Sequence, residues 1–235
     1  MTSMNRHSDQ HEVPIVLCAD ENYARYCGIT ITSALLNTTN PEKLSFYIVS
    51  PSLSEASQQF LNKLCSQFRS QLTVLPIDFE LFKELPELQH LTLNTYSRIS
   101  APEICEDCKK VIYLDSDVIV LGDLIKLFQY ELDNKTIGAV PHVQFPYQKE
   151  FLENFKVGIN EDQDTYFNGG VMLVDAVRWR KDNCTESVLT FAKDHAEKLH
   201  FGDQDALNAV FWENYYHLPG VWNVEARLYR EKLLG

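Results

Sequence analysis

Three Asp-x-Asp pairs occur in the sequence, and one of them has a setting that favours chemistry. Asp115 and Asp117 are flanked on both sides by apolar segments, whereas Asp162/Asp164 lies in a polar stretch typical of a solvated loop. Two carboxylates at the edge of a core are costly unless a cation or strong hydrogen bonds replace the lost hydration. If the segment is extended, both side chains share a face and can reach one hard cation, Mg2+ or Mn2+. The pattern favours a metal site, with a structural turn as the alternative.

Alternating strand and helix patterns precede this pair. Apolar runs at Val13 to Ala19, Leu44 to Val49 and Leu72 to Ile77 predict strands. Between them, one helical pattern stops near Asn40, and a second runs from Ser54 to Phe68 with Ser54 as its N-cap. Such alternation predicts a parallel sheet covered by helices on both faces, with ligands bound beyond the carboxyl ends of the strands.

The second half of the chain continues the alternation after a polar, proline-bearing connection near Leu85 to Leu91. With 235 residues, the chain suits a single domain. The pattern predicts strands at Lys110 to Leu114, Ile137 to Val140 and Gly170 to Val174, and helices at Ser97 to Cys108, Thr185 to Lys198 and Gln204 to Trp212.

Composition limits the classes of partner and the compartment. A formal charge of -12 disfavours nucleic acid, which the acidic surface would repel. Met1 to Glu12 is polar, so we expect a flexible segment at 1–12, a domain at 13–235, no signal peptide, no membrane helix and a cytoplasmic location. The six cysteines are then expected to be reduced, and Cys105 and Cys108 to be structural rather than a redox or zinc pair.

Five short segments, taken in order, carry a resemblance to a known family. They are Ala19 to Tyr23, Tyr96 to Ile99, Val111 to Val120, Phe167 to Val171 and Asp203 to Asn208. Together they resemble glycosyltransferase family 8, which includes bacterial lipopolysaccharide galactosyl- and glucosyltransferases and glycogenin. The resemblance implies a single Rossmann-like nucleotide-binding domain of the GT-A type with a mostly parallel central sheet. It also implies transfer of glucose or galactose from a UDP-sugar, with retention of configuration, to a saccharide acceptor such as lipopolysaccharide core.

The resemblance also implies roles for individual residues on the nucleotide side of the site. Ala19, Asp20, Asn22 and Tyr23 would contact the uridine, and Tyr23 would stack on the base. The alternative for Tyr23 is a half-buried tyrosine at the start of a helix. The backbone of Ser116 would face the ribose.

The remaining implied roles concern the metal, the diphosphate and the donor sugar. Asp115 and Asp117 would hold Mn2+, with Mg2+ as the alternative, and Arg98 would lie near the diphosphate and sugar unless it is a surface arginine. Asp203 is also read as a helix N-cap, a role compatible with sugar binding. The predicted lining of the donor-sugar pocket is Asn168, Gly169, Asp203 and Gln204.

The resemblance places Gln204 where a catalytic nucleophile would be expected. An amide is a poor nucleophile, so the sequence favours a front-face displacement in which the leaving phosphate helps to deprotonate the acceptor hydroxyl. Asp203 and Gln204 are therefore the catalytic candidates, without a covalent intermediate.

Two departures from the family pattern leave alternatives open. The chain stops at Gly235 without the family's His-x-x-Gly-x-x-Lys-Pro-Trp motif, and His217 is not assigned to the metal. Val140-Pro141-His142 also stands where family members often carry an acid near the donor sugar, which leaves the donor preference open. A weakened or non-catalytic nucleotide-sugar-binding protein is the alternative function, and peripheral membrane contact is left open. A haloacid-dehalogenase-like phosphatase is disfavoured because Ile119 replaces the threonine that completes its motif.

Overall fold

A central sheet of seven strands organises the computed structural model, which describes residues 12–77, 93–142, 147–155, 166–212 and 214–225. Asp162/Asp164 and the connection near Leu85 to Leu91 lie outside these residues. The strands are β1 (Val13–Cys18), β2 (Leu44–Ser50), β3 (Gln71–Pro76), β4 (Lys110–Leu114), β5 (Ile137–Pro141), β6 (Phe167–Asp175) and β7 (Tyr216–His217).

The sheet has the order β3-β2-β1-β4-β6-β5-β7. Strands β3, β2, β1 and β4 pair in parallel, and β7 pairs in parallel with β5. Strand β6 runs antiparallel to both of its neighbours, β4 and β5. The predicted mostly parallel sheet is confirmed, and the direction of β6 brings its first residues to the edge at which β1 and β4 end.

Helices follow the strands along the chain and cover the sheet. They are α1 (Ala24–Leu36), α2 (Glu55–Gln67), α3 (Leu93–Ile104), α4 (Leu124–Phe128), α5 (Gln148–Phe155), α6 (Ala176–Lys181), α7 (Cys184–Asp194) and α8 (Asp203–Val210), with short 3-10 turns at Pro41–Lys43, Ala196–Lys198 and Gly220–Trp222. Ser54 caps α2 as predicted, because its side chain accepts a hydrogen bond from the Ser57 N–H.

Two apolar clusters pack against opposite faces of the sheet. In β4, Val111 and Tyr113 belong to one cluster, and Ile112 and Leu114 belong to the other. Because both faces are buried, the central strands read as continuous apolar runs rather than as alternating patterns.

Several predicted boundaries are wrong, each for a local reason. Helix α3 ends at Ile104, and Cys105 to Cys108 form a turn closed by the Cys108 N–H donating to the Cys105 carbonyl at 3.0 Å. The predicted Thr185 to Lys198 helix breaks after Asp194, and a 3-10 turn follows. All six cysteines are free thiols.

Two corrections concern the site directly. Asp115 to Asp117 leave β4 in a turn rather than in extended conformation, and the apolar residues that follow form no strand. The N-cap of α8 is Gly202, whose φ of 50° suits glycine, and not Asp203, which is the first residue of the helix.

Candidate active site

Three chain segments meet at one edge of the sheet. Ala19 and Asp20 follow β1, Asp115 follows β4, and the first residues of β6 lie there because β6 is antiparallel. The Asp115 N–H donates to the Gly170 carbonyl at 2.8 Å, which joins the end of β4 to β6. The edge is therefore the place at which an α/β sheet binds ligands.

The turn that carries the paired carboxylates is held by a threonine of α1. The Thr30 hydroxyl lies 2.9 Å from the Ser116 carbonyl oxygen and 2.8 Å from that of Val118. The Tyr113 hydroxyl donates to Asp115 Oδ1 at 2.9 Å, which orients that carboxylate. Partial burial, and then the charge of Asp115, raise the pKa of Asp117.

These two carboxylates fit a hard divalent cation. Burial and then repulsion from Asp115 raise the pKa of Asp117, a cation between the two carboxylates would offset both effects, and oxygen ligands suit Mn2+ and Mg2+. Among the residues that the structure describes, no group of three or more His, Cys, Asp or Glu side chains could hold a metal ion.

Arg98 joins the paired carboxylates to α8. It forms an ion pair with Asp203 and lies 3.6 Å from Asp115, measured from Nη1 to Oδ1. Arg98 is 9% exposed and Asp203 is fully buried, so the reading of Arg98 as a surface arginine is wrong. Burial disfavours the charged guanidinium, but Asp203 and Asp115 outweigh it and raise the pKa of Arg98. Burial also raises the pKa of Asp203 to about 6, against the opposing effect of Arg98.

Two glycines allow these side chains to approach the backbone of β6. A Cβ atom on Gly169 would lie 2.8 Å from Arg98 Nη1, and one on Gly170 would lie 2.9 Å from Asp115 Oδ2. The Gly169 N–H donates to Gln204 Oε1 at 2.9 Å. Any larger residue at Gly169 or Gly170 would therefore displace the charged group of Arg98 or of Asp115.

Asn168 connects β6 to the last described segment of the chain. Its Oδ1 accepts hydrogen bonds from the Gly170 N–H at 2.8 Å and from Asn223 Nδ2 at 2.9 Å. The amide is thereby held in one orientation at the edge of the sheet.

Sequence reasoning missed the side chains that hold Gln204. The Tyr166 hydroxyl donates to Asp205 Oδ1 at 2.6 Å and accepts from Gln204 Nε2 at 3.3 Å. Asp205 Oδ2 accepts from the backbone N–H groups of His200 at 2.6 Å and Phe201 at 2.8 Å. The signal available in the sequence was the spacing, because Asp205 lies in the first turn of α8, directly after Gln204.

Asn208 was also missed as a bracing residue. Its Oδ1 accepts from the Phe167 N–H at 2.7 Å, and its Nδ2 donates to the carbonyls of Phe167 and Gln204, both at 2.9 Å. The side chain is fully buried and ties the start of β6 to α8. The signal in the sequence was an asparagine one helical turn after Gln204.

Two of the residues predicted to bind uridine, Asn22 and Tyr23, line an open cleft together with Asp117, whereas Ala19 and Asp20 are not among its lining residues. Asp20 Oδ1 accepts from the Tyr23 N–H at 3.1 Å, and Tyr23, which precedes α1, is 47% exposed. The cleft has a volume of about 620 Å³. Its lining residues are Glu21, Asn22, Tyr23, Arg25, Tyr26 and Asp117.

The two histidines considered in the sequence lie in different surroundings. His142 follows β5, with its Nε2 3.3 Å from Glu225 Oε2, and its backbone N–H donates to the Tyr166 carbonyl at 2.7 Å. His217 lies on β7, where its ring stacks on Tyr215 at a centroid distance of 4.6 Å. Burial, and then Lys135, lower the pKa of His217.

The sheet order, the antiparallel β6 and the acidic turn after β4 define a glycosyltransferase fold of the GT-A type. The sequence profile of glycosyl transferase family 8 matches residues 14–233, and the chain belongs to this family. The predicted fold class and family are both confirmed.

Curated relatives and a solved structure show the same likeness. The chain is 34% identical over 215 residues to general stress protein A of Bacillus subtilis, covering 90% of this chain and 73% of that protein. It is 30% identical over 210 residues to a lipopolysaccharide 1,3-galactosyltransferase of Salmonella typhimurium, covering 86% and 60%. The structure of galactosyltransferase LgtC in complex with donor and acceptor sugar analogues matches with a TM-score of 0.79 at 25% identity, covering 88% of this chain and 74% of that one.

The chain is shorter than the relatives that it matches. It spans 73% of the Bacillus protein, 60% of the Salmonella enzyme and 48% of glycosyltransferase GlyF of Streptococcus pneumoniae, to which it is 31% identical. None of the helices in the described parts of the chain has the length and apolar character needed to cross a membrane.

Proposed function

We propose that this protein is a metal-dependent, retaining glycosyltransferase that moves glucose or galactose from a UDP-sugar to a saccharide acceptor. The observation that carries the proposal is the buried Arg98. It pairs with Asp203 at the start of α8 and lies close to Asp115 in the turn after β4. Similarity to a lipopolysaccharide 1,3-galactosyltransferase and to lipopolysaccharide 1,2-glucosyltransferases supports a hexose donor and a lipopolysaccharide-type acceptor.

In this proposal, Asp115 and Asp117 hold Mn2+, with Mg2+ as the alternative. The bound ion would act as a Lewis acid on the departing nucleoside diphosphate. The pKa of Asp117, raised by partial burial and by Asp115, supports this assignment because both carboxylates gain from a shared cation.

On the other side of the acidic turn, Ala19, Asp20, Asn22 and Tyr23 bind the uridine. Tyr23 supplies an exposed ring for the base, and the Ser116 backbone faces the ribose. The cleft that contains Asn22, Tyr23 and Asp117 supports a continuous path from the base to the diphosphate.

The donor sugar is bound between β6 and α8 by Asn168, Gly169, Arg98 and Gln204, and the predicted direct contact from Asp203 is not retained. Asp203 has no exposed surface and is paired with Arg98, which supports a role in holding the guanidinium rather than in attacking the sugar. The Gln204 amide is fixed by the Gly169 N–H and by the Tyr166 hydroxyl.

This arrangement supports a front-face displacement without a covalent intermediate. The anomeric bond to the diphosphate breaks, the acceptor oxygen attacks from the same face, and a leaving phosphate oxygen takes the acceptor's proton. Gln204 orients the donor sugar, because its side chain is an amide held at both ends.

The test is isothermal titration of UDP, UDP-glucose and UDP-galactose with and without Mn2+. We expect Mn2+-dependent binding that falls at least about tenfold in Asp115→Asn/Asp117→Asn, since each variant side chain loses its charge-assisted contact. Asp162→Asn/Asp164→Asn is the matched control, with the same spacing and the same change in charge. Equal binding by the two double variants would refute the metal assignment, and donor binding without turnover on any acceptor or water would favour the non-catalytic alternative.

A further inference from the structure

Three residues that line the cleft, Glu21, Arg25 and Tyr26, have no role in the proposed donor site. Asn22, Tyr23 and Asp117 were assigned to the nucleotide and the metal, so the cleft is continuous with the donor site. Arg25 and Tyr26 line the same cleft from the first turn of α1. Both side chains are exposed.

Electrostatics distinguish Arg25 from the other lining residues. The chain carries a formal charge of -12, and Glu21 and Asp117 add negative charge to the cleft itself. Arg25 is the one cationic side chain among the lining residues that the structure describes. Arg98 is 9% exposed and is engaged by Asp203 and Asp115. An anionic ligand entering the cleft therefore meets Arg25 as its accessible cation.

The Glu21 carboxylate is held by the start of α2. It accepts hydrogen bonds from the Ser54 N–H at 2.8 Å, the Ser54 hydroxyl at 2.9 Å and the Ser57 hydroxyl at 2.7 Å. These three donors hold the negative charge at the amino end of α2 and lower the pKa of Glu21. The Glu21 carboxylate is therefore held toward the start of α2.

Tyr26 extends the aromatic surface of the cleft. It lies one helical turn after Tyr23, with ring centroids 5.6 Å apart and an angle of 49° between the rings. Tyr23 and Tyr26 are 47% and 49% exposed. Two neighbouring tyrosine rings left open at the wall of a cleft can contact a planar base and the sugar attached to it.

We propose that Arg25 and Tyr26 form a second contact region for the donor nucleotide. Arg25 binds a phosphate oxygen from the open side of the cleft, and Tyr26 adjoins Tyr23 to widen the surface that holds the nucleoside. The proposal rests on the function proposed above and adds two binding residues to it. The proposed ligand of Arg25 and Tyr26 is therefore a nucleoside diphosphate group rather than a neutral saccharide.

The test for Arg25 compares UDP with uridine by titration in the presence of Mn2+. Arg25→Gln should weaken UDP binding about two- to fivefold at low ionic strength and less at high salt, since an exposed charge pair is modest and screened. Uridine, which lacks phosphate, should bind wild type and Arg25→Gln equally. Arg69→Gln is the matched control, because Arg69 is exposed beyond the carboxyl end of α2 and away from the cleft.

The test for Tyr26 uses the same titrations. Tyr26→Ala should weaken both UDP and uridine about fivefold or more, as expected for loss of an aromatic contact to a base or nucleoside. Tyr26→Phe keeps the ring and should bind as wild type does.

The outcomes separate this inference from the proposed function. If wild type binds UDP and the Arg25→Gln and Tyr26→Ala variants bind it equally well, the second contact region is refuted and the donor site stands. A loss of UDP affinity in Arg69→Gln equal to that in Arg25→Gln would refute a local role for Arg25. If wild type binds no UDP with or without Mn2+, the proposed function itself fails, and this inference fails with it.

Discussion

Replacing Arg98 with methionine would leave Asp203 buried without its cationic partner. Methionine keeps an unbranched apolar side chain, so the main change is the loss of the guanidinium that pairs with Asp203 and lies 3.6 Å from Asp115. Breaking a buried ion pair from one side typically costs about 3 to 5 kcal/mol. We expect a loss in that range at pH 7 in the free energy of unfolding.

The pKa of Asp203 reflects a separate cost, which is that of keeping its carboxylate ionised in the core. Burial raises it from 3.8 to about 6 even with Arg98 present, which corresponds to roughly 3 kcal/mol. Without Arg98 the pKa rises further. A carboxyl group whose folded pKa lies above its unfolded value contributes stability below the unfolded pKa, and that contribution is lost as the pH rises through the folded pKa.

The loss of stability caused by Arg98→Met should therefore depend on pH. As the pH rises, ionisation of Asp203 lowers the free energy of unfolding. In the wild type this loss of stability is complete near pH 6, whereas in Arg98→Met it continues to higher pH. The difference in stability between the two proteins should shrink by about 1 kcal/mol when the pH is lowered from 7 to 5.

The assay is urea unfolding followed by tryptophan fluorescence at both pH values, with a chelator present so that no metal contributes. Arg178→Met is the control, since Arg178 and Asp175 form a partly exposed pair at 3.9 Å whose loss should change stability by no more than about 0.5 kcal/mol. A loss below about 1 kcal/mol for Arg98→Met, or a deficit that is equal at the two pH values, would refute the reasoning.

Three further substitutions test the packing around the donor-sugar pocket. Gly169→Ala should weaken UDP-sugar binding about tenfold in titration, because the new Cβ would lie 2.8 Å from Arg98 Nη1 and displace it. Gly138→Ala meets a flexible leucine methyl at the same distance and should leave affinity unchanged; equal losses would show that the effect is not local to Arg98. Asn208→Ala should lower the free energy of unfolding, measured by urea unfolding, by about 2 to 3 kcal/mol, because it leaves buried backbone groups without partners. A loss below about 1 kcal/mol would contradict the bracing role of Asn208. Gln204→Ala should slow transfer moderately without abolishing it, and mass spectrometry that detects a glycosyl adduct on Gln204 in the wild type would contradict the front-face reaction.

The types of most elements were predictable because their signals are local. Lys110 to Leu114 is apolar on both faces, so it could be read as a strand of a covered sheet, and Ser54 is a helix cap by its residue type. Boundaries were less predictable. Strand β6 begins at Phe167, before the predicted Gly170, because pairing with β5 extends it through two glycines that locally resemble a turn.

The assignment of Asp203 shows the limit of local signals most clearly. As an acid at the start of a helix it reads as an N-cap, yet Gly202 takes that position and the Asp203 carboxylate turns into the core. Its partner Arg98 lies on another helix, far away in sequence. The pairing that overrides the cap depends on tertiary packing, so no pattern around Asp203 reveals it.

The sequence by itself determined the family, the strand and helix order, and the two carboxylates that follow a buried strand, since these depend on residue types and short spacings. Only the tertiary structure decided that Arg98 connects Asp115 to Asp203, that Tyr166 and Asn208 hold α8 against β6, and that Arg25 and Tyr26 share a cleft with Asp117. The physical reason is that these contacts follow from the order of the strands and the reversed direction of β6. Those features are fixed by packing energy summed over the whole sheet, and no single segment of the chain carries them.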